Sequence, residues 1–448
     1  MMKGAVMAAF LMATVLGTTA LGAIPASADR LRPASAPIVE TGSTARFAGG
    51  QWVQVRMGDV SLGVVWGTNA TFHSGVTLFL DYTRYFGGAE LYDEQGTYLG
   101  TAPLPLHSIL AQHFDRAVEF RDTNNDSLFD LKIENRTVFV GDQPVKILDL
   151  DTAWYLDGPI EKVVTNDSAW VNFTVSASSI PYRAVYDEPL HLWRPAVTAD
   201  GVLDKISLTF RLRASSQDRT LEVPFYRVTL ASGNTRTPTA SEFLGNRTIS
   251  GRSRAVDAKY DQRIEGWDFL YADSKLAVAT NLAFGNYINE PIVQWLQQQF
   301  GGACLKDGGF SQCESTSGGP TMPERINRTE LDIAEGWQRA GNAYWTSNVT
   351  VDGRPATMTF EIYAAERLVR LDGAYASGVK AYGAFVYPQG RTIVHDPGLS
   401  ATSVLPFISM TTNLAPSVLA TLQFVVVGLA LVPALLLRRR SKAPQGRP

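Results

Sequence analysis

The sequence predicts an all-β protein: an antiparallel β-sandwich-like ectodomain of two β domains, followed by a single C-terminal transmembrane helix. Residues 206–213 alternate apolar and polar side chains, which is the pattern of a strand with one buried face. Residues 348–351 and 356–362 alternate in the same way around an Asp-Gly turn, which is typical of a β-hairpin. Helix signals are scarce in the ectodomain, where residues 291–300 provide the best one.

The N-terminus has the pattern of a secretory signal peptide at residues 1–28. Lys3 precedes the apolar stretch 5–23, and a proline followed by Ala-Ser-Ala supplies the helix break and the small residues that a signal peptidase needs. The mature chain is therefore expected to begin at Asp29. An uncleaved N-terminal anchor is the alternative.

The exported part divides into four predicted segments. Residues 29–45, rich in Pro, Ala and Ser, are predicted to be a linker. Residues 46–150 are predicted to form one β domain, because the first set of strand patterns ends near residue 150. Residues 151–400 are predicted to form a second β domain, and residues 401–417 a short stalk.

An aspartate-rich run in the first domain carries the pattern of a calcium loop. Its predicted metal ligands are Asp122, Asn124, Asp126, Leu128 and Asp130. Leu128 would contribute its backbone carbonyl oxygen, and the other four residues their side chains. Oxygen atoms at alternate positions of a tight turn can converge on one hard cation. The run resembles the aspartate-rich calcium loops of EF-hands, dockerins and thrombospondin type 3 repeats, and this resemblance implies calcium as a cofactor.

The aspartate-rich run departs from the EF-hand pattern at two positions. Ser127 stands where that loop has glycine, and Ile133 stands where it has a bidentate glutamate, with Glu134 one place later. Both flanks have strand patterns, so we expect a strand–loop–strand arrangement. An ordinary turn is the alternative, because Asp and Asn favour turns without any metal.

Asn-X-Ser/Thr sequons indicate an exported glycoprotein. The chain contains eight, whereas its composition would produce about two by chance. The predicted glycosylation sites are Asn69, Asn135, Asn166, Asn172, Asn246, Asn327 and Asn348. The eighth sequon begins at Asn125, inside the aspartate-rich run. A Thr-rich strand composition would explain one or two of these sequons by accident, but not all of them.

The chain has two cysteines, Cys304 and Cys313, in a glycine-rich region of the second domain. Outside the cell such a pair is expected to form a disulfide. No histidine lies nearby in the sequence to complete a metal site, and the spacing is not that of a redox Cys-X-X-Cys motif.

The apolar run at residues 418–437 is predicted to span a membrane. An uncharged segment of about 20 residues, at about 1.5 Å per residue, crosses the roughly 30 Å hydrocarbon core. The tail, residues 438–448, is basic and has no acidic residue, which marks the cytoplasmic side. The protein is therefore predicted to be a single-pass cell-membrane protein with its ectodomain outside. A sorting signal removed after export is the alternative.

Charge and motifs restrict the function. All 43 Asp and Glu residues lie in the predicted ectodomain, residues 29–417. The signal peptide and the tail together hold six of the 40 Lys and Arg residues, so 34 remain and the ectodomain carries a net charge of about −9. This charge argues against nucleic acid as a partner. The sequence has no His-Glu-X-X-His, Gly-X-Ser-X-Gly, phosphate-loop or dinucleotide-binding motif, and Ser377 and Lys380 match a Ser-X-X-Lys pattern without its companion motifs. The closest histidines, His107 and His113, are expected to be loop residues.

The nine tryptophans could pack in the core or form stacking platforms for sugars. Together these features favour a glycosylated cell-surface protein with a structural, adhesive or ligand-binding role, whose partner is a carbohydrate or another envelope protein. A cell-surface hydrolase acting on polysaccharide or peptide is the alternative, because two carboxylates brought together by a β fold can suffice for glycoside hydrolysis.

Overall fold

The structure is a computed structural model of the 448-residue chain. It describes residues 36–44, 50–58, 60–67, 75–123, 125–127, 129, 131–134, 137–140, 142–231, 237–288, 303–307, 310–311, 330–335, 338–371 and 374–406.

The described residues form strands, joined by turns and one short 3₁₀ helix at Thr198–Asp200. The strands of the first half of the chain are β1 (Ile38–Thr44), β2 (Gly50–Met57), β3 (Val60–Trp66), β4 (Val76–Asp93), β5 (Tyr98–Arg121), β6 (Leu131–Glu134), β7 (Thr137–Val140), β8 (Gln143–Asp149), β9 (Tyr155–Leu156), β10 (Glu161–Val164), β11 (Ser168–Pro181), β12 (Ala184–Asp187), β13 (Leu192–Pro195) and β14 (Val202–Leu230). The later strands are β15 (Pro238–Glu265), β16 (Ser274–Ile288), β17 (Ala303–Asp307), β18 (Phe310–Ser311), β19 (Glu330–Glu335), β20 (Gln338–Tyr344), β21 (Asn348–Val351), β22 (Arg354–Thr357), β23 (Thr359–Leu371), β24 (Ala374–Tyr387), β25 (Thr392–His395) and β26 (Gly398–Pro406).

Two layers of antiparallel strands form the body of the fold. In the first layer, strands β1 to β5 pair consecutively, and β16, β24 and β23 continue the sheet beyond β5. In the second layer, β11, β14 and β15 pair in that order, and β25 and β26 pair with β15. A parallel pairing of β14 residues 225–230 with β4 residues 88–93 joins the layers.

A row of aromatic rings fills the space between the layers. Phe173, Phe210 and Tyr260 are cross-strand neighbours on β11, β14 and β15, with ring centroids 5.5 and 5.7 Å apart. From the first layer, Trp66 lies 5.8 Å from Phe173, and Phe114 lies 5.4 Å from Tyr260. These rings belong to one hydrophobic cluster that contains side chains from both sides of the predicted domain boundary at residue 150.

The long strands continue beyond this core. The distal parts of β4, β5 and β14 enclose a second, smaller cluster, made of Ala89, Leu91, Leu104, Tyr226, Val228 and Leu230. A third cluster lies on the outer face of the first layer, made of Val118, Phe120, Phe129, Ala277, Ala384 and Val386. The first layer is therefore covered on both faces at this point.

The predicted all-β, antiparallel, sandwich-like character is confirmed for the described residues. Residues 206–213 lie in β14 with alternate side chains in the core, and β21 and β22 form the predicted hairpin around Asp352-Gly353. In the described part of the chain, the structure contains no helix with the length and apolar character to cross a membrane. The predicted helix at 291–300, the predicted signal peptide at 1–28, and the apolar run at 418–437 with its basic tail lie outside the described residues.

The aromatic row generates a stability prediction. Replacing Phe210 by Ala leaves a cavity between the layers, and we expect the free energy of unfolding to fall by about 3–5 kcal/mol. Chemical denaturation of the full-length protein, followed by tryptophan fluorescence, measures this loss. Thr209→Ala on the opposite face of β14 is the control, with an expected loss of about 1 kcal/mol because only its hydrogen bond to Thr174 disappears. Equal losses in the two variants would show that Phe210 is not part of the supporting core.

Candidate functional site

The aspartate-rich run forms a tight turn after β5. The Asp122 carboxylate accepts hydrogen bonds from the backbone N–H of Asp126 (3.2 Å) and of Ser127 (3.0 Å). Asn125 and Ser127 have positive φ angles of 58° and 61°, so the backbone adopts the left-handed conformation at the place where the EF-hand pattern has glycine. The side chain of Asp122 therefore organises the turn.

Lys275 of β16 contacts this turn. Its ammonium lies 2.6 Å from Asp122 Oδ2 and 2.8 Å from Ser127 Oγ. The turn is also attached to the sheet at its far end, where Phe129 N–H donates to the buried Glu361 and the Phe129 ring packs 4.9 Å from Phe120.

Calcium at this turn stays a prediction. Asp122 and Asp126 are described, whereas Asn124, Leu128 and Asp130 lie outside the described residues. Among the residues that the structure does describe, no three or more His, Cys, Asp or Glu side chains are grouped in a way that could hold a metal ion.

Four sequon asparagines lie on exposed backbone. Asn125, Asn166, Asn246 and Asn348 are exposed. Asn172 is half-buried on β11, and its amide donates to Glu161 at 3.3 Å. Glycosylation of Asn166, Asn172, Asn246 and Asn348 stays a prediction, and Asn69, Asn135 and Asn327 lie outside the described residues. The predicted disulfide also stays a prediction: Cys304 is in β17, and Cys313 lies outside the described residues.

The tryptophans divide between core and surface. Of the seven tryptophans that the structure describes, Trp52 is half-buried and four are buried, namely Trp66, Trp154, Trp267 and Trp345. Trp170 and Trp193 are 40 % and 39 % exposed and lie on different strands, β11 and β13. Most of the tryptophans that can be assigned therefore pack in the core, and two remain available for contacts at the surface.

The β12–β13 hairpin places apolar side chains in solvent. Its tip, residues 189–193, is exposed throughout, and Leu190 at 64 % is the most exposed of its large apolar side chains. Leu192 and Trp193 are neighbours in the strand and so point to opposite faces of the hairpin. The tip therefore exposes apolar side chains on both faces of the hairpin.

Local contacts support the hairpin despite this exposure. Asp187 Oδ1 accepts from the Leu190 N–H (3.2 Å) in the turn, and the Tyr186 and Trp193 rings are 5.7 Å apart. Arg194 donates two hydrogen bonds of 2.6 Å to Asp200, which lower the pKa of Asp200 to about 2. The tip is thus presented on a supported frame.

The structure also brings together a hydroxyl, an imidazole and a carboxylate that sequence analysis missed. His113 Nε2 lies 3.0 Å from Asp151 Oδ1, and its Nδ1 lies 2.9 Å from Thr77 Oγ1. A carboxylate can only accept, so Nε2 carries the proton and the Thr77 hydroxyl donates to Nδ1. Gly75 is required here, because a Cβ atom would lie 2.7 Å from His113 Cε1.

The expected loop position of His107 and His113 is wrong, because both lie within β5. Strand β5 is long enough to include them, and the pairing of Thr77 with His113 across β4 and β5 creates the arrangement. No spacing in the sequence predicts it, since the contact depends on strand register.

A buried ion pair closes one end of the core. Glu119 on β5 faces Lys146 on β8 across paired strands, with Nζ and Oε2 3.8 Å apart and both side chains almost fully buried. Glu119 also accepts from Trp267 Nε1 (3.1 Å), Leu270 N–H (2.7 Å) and Ser274 Oγ (2.7 Å). Burial lowers the pKa of Lys146, and the charge of Glu119 opposes that shift. With every oxygen accepting, this pair has the features of a structural element.

A scan against models of known protein families finds no match for this chain, and a search among curated proteins finds no match either.

His395 makes stability depend on pH. Its Nε2–H donates to the Thr346 carbonyl (3.0 Å) and its Nδ1 accepts from the Tyr387 hydroxyl (2.8 Å). Burial lowers the pKa of His395 to about 4, against the opposing hydrogen bond to Thr346. Between pH 6.5 and 4 the imidazole of His395 binds a proton in the unfolded chain but not in the folded chain. The contribution of His395 to the free energy of unfolding is therefore complete above pH 6.5 and decreases as the pH falls toward 4.

We therefore expect the free energy of unfolding of the full-length protein to fall by about 3 kcal/mol through His395 between pH 6.5 and 4. In His395→Gln the decrease should be correspondingly less steep, although that variant is less stable at neutral pH. His191→Gln is the control, because His191 is exposed at the hairpin tip. Parallel pH profiles for the wild type and His395→Gln would contradict the assignment.

Proposed function

We propose that the protein is a membrane-anchored, N-glycosylated cell-surface protein that adheres to another envelope protein through the β12–β13 hairpin. The observation that carries the proposal is the apolar hairpin tip, where Leu190, Leu192 and Trp193 are all exposed. Apolar groups in water favour burial against a partner, so a supported tip that exposes such groups is suited to binding.

The predicted anchor and glycans are consistent with a display function. The hairpin follows Pro181, the last residue of β11, which pairs with Val202 at the start of β14. The last described residue, Pro406, pairs with Gly251 of β15, and Gly251 pairs in turn with Arg219 of β14. Val202 and Arg219 are 17 residues apart along β14. A membrane anchor that follows Pro406 in the sequence would therefore leave the hairpin far from the point where the ectodomain chain approaches the membrane.

The residue types at the tip favour a protein partner over a carbohydrate. Leu190 and Leu192 are aliphatic and suit the apolar core of a protein interface, and tryptophan is enriched at the energetic centres of such interfaces. A sugar platform relies on a flat aromatic face surrounded by hydrogen-bonding groups. Trp193 is the one tryptophan at the tip, and its ring meets Tyr186 edge-on.

The proposal predicts that Trp193→Ser weakens binding to the cell envelope by about tenfold or more, because a central aromatic contact is lost. The full-length protein is placed in lipid nanodiscs, so that the predicted anchor is occupied, and its retention on envelopes from cells that lack the protein is measured. Trp170→Ser is the matched control, since Trp170 is equally exposed on another strand.

Treatment of the envelopes identifies the partner. Retention that protease treatment of the envelopes removes supports a protein partner. Retention that survives protease but is lost after periodate oxidation identifies a carbohydrate instead. Equal retention of the Trp193→Ser and Trp170→Ser variants would exclude the hairpin as the binding surface.

A cell-surface hydrolase is the second candidate function, and the Thr77, His113 and Asp151 geometry is the observation that favours it. The imidazole accepts from the hydroxyl and donates to the carboxylate, which is the order of contacts that activates a hydroxyl nucleophile. Against it, His113 is buried and Thr77 lies between two paired strands. Release of product from envelope polysaccharides or peptides by the wild type, but not by Thr77→Ala, would establish this function.

A further inference from the structure

We propose that the ammonium group of Lys275 serves as the resident cation of the Asp122 turn, in the place where the sequence pattern predicts calcium. The turn would then be held to β16 by a cation that belongs to the chain itself. This role for Lys275 is independent of the function proposed for the hairpin.

The first observation is that a buried carboxylate already has a positive partner. The side chain of Asp122 is 3 % exposed, and the ammonium of Lys275 lies 2.6 Å from its Oδ2. A carboxylate removed from water requires a counter-charge, because an unpaired buried charge is very unfavourable. Lys275 provides that charge at direct contact distance, and its side chain is 25 % exposed, so the ammonium keeps part of its hydration.

The second observation is that both carboxylate oxygens accept hydrogen bonds from donors. Oδ1 accepts from the Asp126 N–H, and Oδ2 accepts from the Ser127 N–H as well as from Lys275. The ammonium also donates to the Ser127 hydroxyl at 2.8 Å, so it contacts two oxygen atoms of the turn. A lysine ammonium has three donors, and two oxygens of the turn receive two of them.

The third observation is that the sheet determines where Lys275 lies. Lys275 is the cross-strand neighbour of Phe120 on β5, one residue before β5 ends and the turn follows. It occupies the same face of β16 as Ala277, which belongs to the cluster that contains Phe129. The contact of Phe129 with that cluster and the contact of Asp122 with Lys275 therefore attach the two ends of the turn to one face of the sheet.

A functional consequence follows for a surface protein. A turn held by calcium loosens when the ion is removed, whereas a turn held by lysine keeps its structure at any calcium concentration. We expect the stability that this turn contributes to be insensitive to chelators. The aspartate-rich pattern would then reflect the needs of the turn. Its left-handed backbone positions, and its backbone N–H groups that require a side-chain acceptor, favour Asn, Asp and Ser.

The test measures the thermal midpoint, Tm, of the full-length protein in detergent, with calcium added and with a chelator. The variants are Lys275→Met, which keeps the aliphatic stem, Lys275→Arg, which keeps the charge, and Asp122→Asn. Lys205→Met is the matched control, because Lys205 lies at the same 2.6 Å distance from a carboxylate, that of Asp157, but the pair is exposed.

The proposal predicts that Lys275→Met lowers Tm more than Lys205→Met does, and that Lys275→Arg lowers Tm less than Lys275→Met does. It also predicts that calcium changes the Tm of the wild type and of Asp122→Asn by the same amount. A calcium-dependent rise in Tm that is present in the wild type and absent in Asp122→Asn would overturn the proposal and establish the metal site. A Tm for Lys275→Met no lower than that of Lys205→Met would also overturn it. A calcium response shared by the wild type and Asp122→Asn arises elsewhere in the chain and agrees with the proposal.

Discussion

Packing of Trp66 on one layer against Phe173 on the other is the contact on which the rest of this structure depends. A single sheet with one apolar face cannot exclude water from that face, and a second layer must cover it. The aromatic row that runs on through Phe210 and Tyr260 supplies the cover and sets the spacing of the layers. Successive side chains of a strand point to opposite faces of the sheet. The residues that face the aromatic row are therefore buried, and their neighbours in the strand point away from it.

Polar groups are tolerated beside this core where neighbouring strands satisfy them. Gln112 donates to the Tyr260 hydroxyl (2.8 Å) within the core, and Glu119 accepts from three donors beside Lys146. The Asp122 turn follows the same rule on the outer face of the first layer, where backbone amides and Lys275 surround its carboxylate. In each case at least one partner comes from a strand distant in sequence, namely Tyr260, Ser274 or Lys275, so these contacts specify strand register as well as stability.

The surface that the core leaves exposed carries the proposed function. The β12–β13 hairpin pairs with β8 through Ala184 and Val185 only, and its tip makes no use of the central core. Its exposed apolar side chains are therefore not needed to fold the sandwich. This separation allows a rigid framework to present a binding surface whose residue types are free to suit a partner.

Local patterns in the sequence were sufficient for much of the fold. The alternation at residues 206–213 and the Asp-Gly turn after β21 both appear in the structure as predicted, because side-chain alternation and turn chemistry act between near neighbours. The turn at Asp122 was also recognisable, since Asp and Asn satisfy nearby amides. Local patterns could not identify the partners of those residues.

The sequence by itself determined much of the strand content, the turns, the acidic and sequon-rich composition of residues 29–417, and the apolar segments on either side of them. Only the tertiary structure decided that Lys275 meets Asp122, that Lys146 meets Glu119, and that Thr77, His113 and Asp151 converge. These contacts depend on which strands pair and in which register, and a shift of one residue would turn each side chain to the other face. That choice is made by the packing of the whole core, which no local stretch of sequence contains.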